Sequence, residues 1–272
     1  MGDPFLYNEK EYDGEFIMVN ITLLSFVIMV VLLVRMFCIA RENNICHLTL
    51  NYSTFPAGSK KLTIFFISDI HRRIVDNDII RKVKGKADLV IIGGDLTEKG
   101  VPLEKTEVNL SRLNKIAPIY FIWGNNDYEV KEKELRQLFD KYKVTVLENK
   151  SVKIQSNHHG AVHLIGIGEL SLENDELSIA LSDTKKKDFK IVVCHNPEIA
   201  QKITKDDCIS LLLSGHTHGG QIRIFGFGPY QKGKLHRYGD FDHLISNGYG
   251  TTMLPLRLGA HPETHLITIK HK

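Results

Sequence analysis

A mixed α/β fold with a β-rich second half, set behind a membrane-spanning helix, is what this sequence predicts. Phe16 to Val34 runs 19 residues without a charge, enough for a helix to cross about 30 Å of hydrocarbon. From Phe65 onward, apolar runs of strand length each end in Gly, Asp, Asn or His: FFISDIH, VIIGGD, IYFIWGNND, KIVVCHN and SLLLSGHTHGG. Helix-like segments separate the first of these runs, whereas the residues after Ile209 carry mostly strand pattern.

Composition bounds the partners. The chain of 272 residues has room for one ordinary domain and a short appendage. Apolar and charged contents of 43% and 25% are those of a globular chain. A formal charge of +3, with no basic block interleaved with aromatics, gives no support to a nucleic-acid partner. Cys38, Cys46, Cys194 and Cys208 show no CxxC and no disulfide-framework spacing. Cys194 and Cys208 therefore read as inert thiols, a usage that fits a reducing compartment.

In chain order, residues 1–15 form an acidic tail in which Asp3, Glu9, Glu11, Asp13 and Glu15 oppose Lys10 alone. Residues 16–34 are the anchor. No basic leader and no small-residue cleavage site accompany them, so the segment reads as retained rather than as a signal peptide. It lacks an amphipathic period, which argues against a helix buried in a globular domain. Arg35 and Arg41 follow the span, and the positive-inside rule then puts the large domain on the cytoplasmic side of the cell membrane in a single-pass arrangement.

Residues 35–60 read as a juxtamembrane linker with a short strand at His47–Tyr52, and the main domain is expected over 61–272. Helices are expected near Asn77–Lys84, from Pro102 to Lys115, over Glu129–Lys141 and near Pro197–Ile203. Strands are expected at Asp88–Ile92, Ile119–Trp123, Val144–Leu147, Val152–Gln155, Val162–Ile167, Ile191–Cys194 and Ile209–Leu213. Two of them are expected to join around Glu148-Asn149-Lys150. The tail is read as β at Gln221–Phe225, Leu244–Ser246 and Thr264–Ile269.

Asp69 and His71 stand two apart, so on an extended segment both side chains project the same way. An oxygen ligand beside a nitrogen ligand suits a divalent metal. Asp95, Asp127, His195, Asn196, His216 and His218 sit at the ends of the other apolar runs. Strand ends are where open α/β sheets place ligands, and five strands releasing such residues toward one edge imply one site.

The order D-x-H, GGD, GNND, H-N and GHTH resembles the calcineurin-like metallophosphoesterase superfamily over essentially Lys61 to Lys272. GGQIRIFGFG and SNGYGTTMLPLRLGAHPE are similar to the branch of small membrane-anchored bacterial phosphoesterases. The resemblance implies a four-layer sandwich of two stacked β-sheets flanked by helices. It implies two divalent metal ions, with manganese, iron, zinc and cobalt all compatible with the donors. One ion would be held by Asp69, His71 and His218, the other by Asn125, His195 and His216, with Asp95 bridging. It further implies hydrolysis of a phosphoester or phosphoanhydride bond by a hydroxide shared between the metals. The substrate would be a phosphorylated small molecule or lipid.

One departure stands out. The family usually has G-N-H-D, and its histidine contacts phosphate and protonates the leaving oxygen, oriented by the residue matching Asp127. Here Asn126 replaces it, and an amide donates a hydrogen bond but transfers no proton. A phosphoanhydride or activated diester would need no such proton. Another donor is the alternative, with His158, His159 and His163 as candidates beside the reading that they are solvent-exposed bystanders. The lost histidine also prompts a reading from another class, a catalytically silent metal-binding scaffold or sensor at the membrane. Arg72 and Arg73 are left between substrate contact and surface ion pairs, and Arg257 and Glu263 are read as ordering loops near the cleft.

Overall fold

The structure, a computed structural model, describes the backbone of residues 6–272 and the side chains from Phe16 onward. The acidic side chains expected in residues 1–15 lie outside the described residues. Helix α1 (Leu6–Ile39) contains the charge-free run, and every large apolar side chain from Phe16 to Val34 is at least 40% exposed. Among the described residues, no protein surface covers that stretch. Its last turn differs, because Met36, Ile39 and Ala40 are buried. There Arg73 donates from Nη2 to the carbonyls of Arg41 and Glu42, both at 2.7 Å, and from Nη1 to Tyr249 O at 2.7 Å.

Within the segment expected as a linker, strand β1 (Ile45–Tyr52) lies in a sheet. The first sheet runs β1, β12 (Thr264–His271), β2 (Leu62–Ile67), β3 (Leu89–Gly93), β4 (Ile119–Ile122) and β5 (Thr145–Val146). Only the β12–β2 pairing is antiparallel. The second runs β10 (Lys234–Arg237), β11 (Asp242–Ile245), β9 (Leu211–Ser214), β8 (Phe189–Val193), β7 (Gly160–Gly166) and β6 (Lys150–Asn157). Its central pairings are parallel and its two outer ones antiparallel.

The two-residue period of the strands builds the layers. Ile64, Phe66, Ile91, Ile191, Val193, Leu211 and Leu213 fill the space between the sheets. Phe65, Ile67, Val90, Ile92 and Phe121 point the other way, onto α2 (Asn77–Val83), α3 (Leu103–Leu113) and α4 (Glu132–Lys141). Ile165, Val192 and Leu212 pack against α5 (Leu177–Leu181) and the 3-10 turn Pro197–Gln201. The result is helices, sheet, sheet, helices. Strands buried on both faces explain why their sequences are continuous apolar runs. Truncating a core side chain such as Phe66 to Ala would cost about 3–5 kcal/mol.

Several elements differ from the sequence expectation. Glu148-Asn149-Lys150 does join two strands, β5 and β6, but they lie in different sheets; a hairpin joins β6 to β7 at residues 157–160. Asn149 does turn the chain, at φ 51°. The helix expected from Glu129 begins at Glu132, after a 3-10 turn over Asn125–Glu129. Residues 221–225 form only isolated bridges at Ile222 and Ile224. Strand β10 and helix α5 were not anticipated, being short and half exposed.

Candidate metal centre

The seven candidate ligands arrive from five strand ends: Asp69 and His71 after β2, Asp95 after β3, Asn125 after β4, His195 after β8, His216 and His218 after β9. Asp69, His71, Asp95, His216 and His218 all have φ between 50° and 70°. Non-glycine residues rarely occupy that region, and each costs of order 1–3 kcal/mol unless its surroundings impose it. Five such residues in one place mark a site whose geometry is held by the rest of the fold.

The side chains form a continuous cluster. Asn125 Oδ1 lies 3.0 Å from His216 Nδ1, whose ring centre is 5.1 Å from that of His195. His195 Nε2 is 3.1 Å from Asp95 Oδ2, which is 3.6 Å from His71 Nε2. His71 Nε2 faces His218 Nε2 at 3.1 Å, and His218 Nε2 is 3.3 Å from Asp69 Oδ1. Asp95 thus sits between the His71–His218 side and the His195–His216 side. Asp69-His71-His218 and Asp69-Asp95-His195 each bring one donor atom per residue within 4.8 Å of one another.

These donors fit divalent cations. Two imidazole nitrogens about 2.1 Å from one ion and at right angles to each other would stand about 3.0 Å apart. The His71–His218 separation matches that. His195 Nδ1 lies 2.8 Å from Gly93 O and donates to it, which leaves the Nε2 lone pair aimed inward, buried and without a hydrogen-bond partner. A backbone carbonyl that sets the tautomer in this way is the usual support of a metal-binding histidine.

Electrostatics divide the imidazoles. Against the cost of burial, Asp95 and Asp69 hold His195 well above the usual histidine range, and Glu98, Asp95 and Asp69 raise His71. A cation must displace protons there, whereas His218 shifts the other way. Burial pushes His218 down to about 3 against the pull of Asp69, with the charges of His71 and Arg257 adding to the fall. The ring is therefore neutral at pH 7, as coordination requires. Against the cost of burial, His195 and His71 hold Asp95 below the usual carboxylate range.

Glycines clear the floor. A Cβ at Gly94 would overlap the His195 ring, and one at Gly248 would stand 2.6 Å from the Asp69 Cβ.

Asp127 lies beneath the cluster, fully buried. Its carboxylate accepts the backbone N–H groups of Asp95 at 2.7 Å, Thr97 at 3.0 Å and Gly124 at 3.0 Å. Asn126 turns to Asp95, its backbone N–H donating to Oδ1 at 2.9 Å and its amide to Oδ2 at 2.6 Å. His158 and His159 lie in the β6–β7 turn, at the end of the sheet away from the ligands. His163 lies within β7, buried, 3.4 Å from Asp188.

Sequence reasoning missed Glu98, which has no motif around it. Its Oε2 is 2.8 Å from His71 Nδ1, and its other oxygen accepts from Arg72, so Arg72 points away from the cluster. Asp69 is fixed by Ser68 Oγ at 2.5 Å and by the His216 N–H at 3.0 Å. Arg257, read as ordering loops, is fully buried behind His218.

Residues 62–220 match the sequence profile of the calcineurin-like phosphoesterase family. The uncharacterized protein YpbG of Bacillus subtilis (strain 168) is 46% identical over 241 residues, which cover 86% of this chain and 91% of YpbG. The phosphodiesterase YaeI of Escherichia coli (strain K12) is 25% identical over 234 residues, covering 79% of this chain and 84% of YaeI. Among solved structures, a phosphopantetheinyl hydrolase from Mycobacterium tuberculosis aligns with 70% of this chain and 90% of its own, at a TM-score of 0.49 and 10% identity.

Proposed function

The chain belongs to the calcineurin-like phosphoesterase family and is a metal-dependent phosphoesterase, and from that premise we propose that it is a dinuclear hydrolase of phosphodiesters or phosphoanhydrides, tethered to the membrane by α1. The observation that carries this reading is the meeting of seven donor side chains, five of them in left-handed backbone, around Asp95. Two divalent cations bound there would polarise phosphate and lower the pKa of water.

The chain's own residues divide the remaining work. Asp69, His71 and His218 would hold one cation and Asn125, His195 and His216 the second, with Asp95 placed between the two groups. Asp127 acts as a positioning residue, because its carboxylate grips the backbone that carries Asp95, Thr97 and Gly124. Asn126 orients Asp95 and offers a leaving group no proton. Departing groups that are stable as anions, such as a phosphate or an activated alcohol, suit such a site. The relative YaeI carries the name phosphodiesterase, which favours a diester.

The test uses the full chain in detergent with manganese and bis-p-nitrophenyl phosphate, beside Asp95→Asn. Turnover is expected to fall at least about 100-fold in the variant, as losses at ligands exceed those at their supports. Equal turnover would overturn the hydrolase and favour the metal-binding scaffold.

For topology, α1 is read as a single retained span with the catalytic domain in the cytoplasm. Burial of Met36, Ile39 and Ala40 against the domain supports retention, and Arg35 and Arg41 support the orientation. Strong alkaline phosphatase activity from a fusion after Lys272 in intact bacteria would reverse it.

A further inference from the structure

Among the described residues, the three most exposed large apolar side chains are Phe225 at 96%, Met253 at 91% and Phe227 at 82%. All three stand on two loops beside the metal cluster, residues 221–230 and 250–258. These loops are braced rather than loose. Gln221 Nε2 donates to Thr252 O at 3.0 Å and Leu254 O at 3.2 Å, and Thr252 N–H returns to Gln221 Oε1 at 2.9 Å. Ile224 and Phe227 exchange both backbone hydrogen bonds at 2.9 Å. The Arg223 guanidinium ties Gly226 O at 2.6 Å to Gly219 O at 3.1 Å. A fold that orders a turn this thoroughly while leaving two phenylalanines in water implies a partner for them.

The second loop also meets the anchor. Arg257 N–H donates to Met36 O at 3.1 Å. Four residues separate Met253 from that contact, at most about 14 Å of chain. Val34, the last residue of the apolar run, is two residues from Met36, about 3 Å along the helix. Exposed Arg35 and Arg41 flank the helix end, and exposed Lys232, Lys234 and Arg237 follow the first loop. Apolar tips edged with basic residues suit the boundary of an anionic bilayer.

The cleft between these loops and the ligands is a cavity of about 520 Å³. Its lining includes the ligands Asp95 and His216 together with the apolar Ile222, Tyr230, Met253 and Leu254. One space thus offers both metal ligands for a charged head and apolar wall for a tail.

We propose that loops 221–230 and 250–258 dock on the bilayer surface from which α1 emerges, and that the cleft takes an amphiphilic phosphodiester resident in that bilayer. The proposal rests on the hydrolase and anchor readings above. The bilayer is chosen over a protein partner because loop 250–258, which braces loop 221–230 through Gln221, is hydrogen-bonded to the end of the apolar anchor. The cleavage adds water oxygen to phosphorus and breaks the bond to the leaving oxygen. The leaving group departs as its anion, the alkyl phosphate remains, and the water protons go to solvent.

The test reconstitutes the full chain into phosphatidylglycerol–phosphatidylethanolamine vesicles. A tryptophan is placed at Phe225→Trp or, as a control on α5, at Ile179→Trp, a position 57% exposed on the outer face of the second sheet. Trp123 is fully buried and contributes a constant background. Brominated lipids are expected to quench the residue-225 probe and not the residue-179 probe. Hexadecyl p-nitrophenyl phosphate in the vesicles and soluble bis-p-nitrophenyl phosphate share a leaving group. The Phe225→Ser/Phe227→Ser variant is expected to lose about tenfold in kcat/KM on the first, in line with the lost apolar insertion, and to keep its rate on the second.

An unquenched residue-225 probe, or equal losses on both substrates, overturns the docking surface. Absence of bis-p-nitrophenyl phosphate turnover in the wild type overturns the hydrolase reading and the substrate proposal together. Release of the chain from vesicles by alkaline carbonate overturns the anchor. Quenching lost with turnover and carbonate resistance intact counts against the docking surface alone.

Discussion

Arg257 is the buried cation on which the floor of the metal cluster depends, and its removal gives a sharp test. Its Nε donates to Gly250 O at 3.1 Å; Nη1 donates to His218 O at 3.2 Å and Ala260 O at 3.1 Å; Nη2 donates to Asn247 O at 2.6 Å and Gly250 O at 2.7 Å. Nη2 also lies 3.3 Å from His218 Nδ1. Burial lowers its pKa only to about 10, so it remains a cation at neutral pH. Arg257→Met keeps most of the bulk and deletes every donor. Five carbonyls, Gly248 O at 3.3 Å among them, then lose a partner in a dry interior, each loss costing about 1–3 kcal/mol. Relief from burying a charge offsets part of that, and a net loss of about 3–5 kcal/mol is expected.

For a domain of this size each kcal/mol moves Tm by about 2–4 °C, so the apparent Tm should fall by about 6–20 °C. The assay is thermal unfolding of the full chain in detergent at one scan rate, paired with a manganese titration of activity. His218 loses a neighbour that holds its ring neutral, so the half-saturating manganese concentration should rise as well. Arg257→Lys, with a charge but no fork, should fall between the two. An apparent Tm within about 2 °C of wild type, with an unchanged titration, would refute the carbonyl-ring account.

Glu98→Ala should raise the half-saturating manganese concentration about 10–100-fold, the usual cost of losing the partner of a ligating histidine. Little change in kcat at saturating metal should accompany it, and an unmoved titration would reduce Glu98 to the partner of Arg72. His243 is pushed down to about 3 by burial and by His236, so it is neutral in the fold while the unfolded chain takes up a proton near pH 6.5. Stability therefore drops as pH falls below that value, by roughly 2 kcal/mol at pH 5; denaturant unfolding at pH 5, 6 and 7 should show a shallower slope in His243→Phe, and parallel slopes would contradict it. Across aryl phosphodiesters of rising leaving-group pKa the rate should fall steeply, and Asn126→His should recover up to about 10²-fold on the poorest leaving groups. A flat dependence in the wild type would reveal that another group supplies the proton Asn126 cannot.

The strand-end motifs were legible because residue type and the two-residue period are local properties. DIH, GGD, GNND, HN and GHTH already named the donors that meet in space. Glu98 was not legible, since nothing around it distinguishes it from any acidic residue after a strand; only the fold turns it toward His71 Nδ1. The join at Glu148–Lys150 shows the same limit. Asn149 has the conformation of a turn, but whether a turn joins neighbours or crosses between sheets depends on pairings elsewhere. Residues 221–225 carry alternating apolar character yet form no strand, because that character goes to loop tips in solvent.

By itself the sequence determined which side chains end each strand, which faces of those strands are apolar, and that a charge-free helix precedes them, because each follows from bonded geometry and hydrophobicity along a short stretch. Only the tertiary structure decided that His71 would face His218 across 147 positions, that Asp95 would stand between two groups of imidazoles, and that Arg257 and Glu98 would support them. Those meetings depend on strand order and on the packing of two sheets, which arise from hydrogen bonds and buried surface between segments distant in the chain.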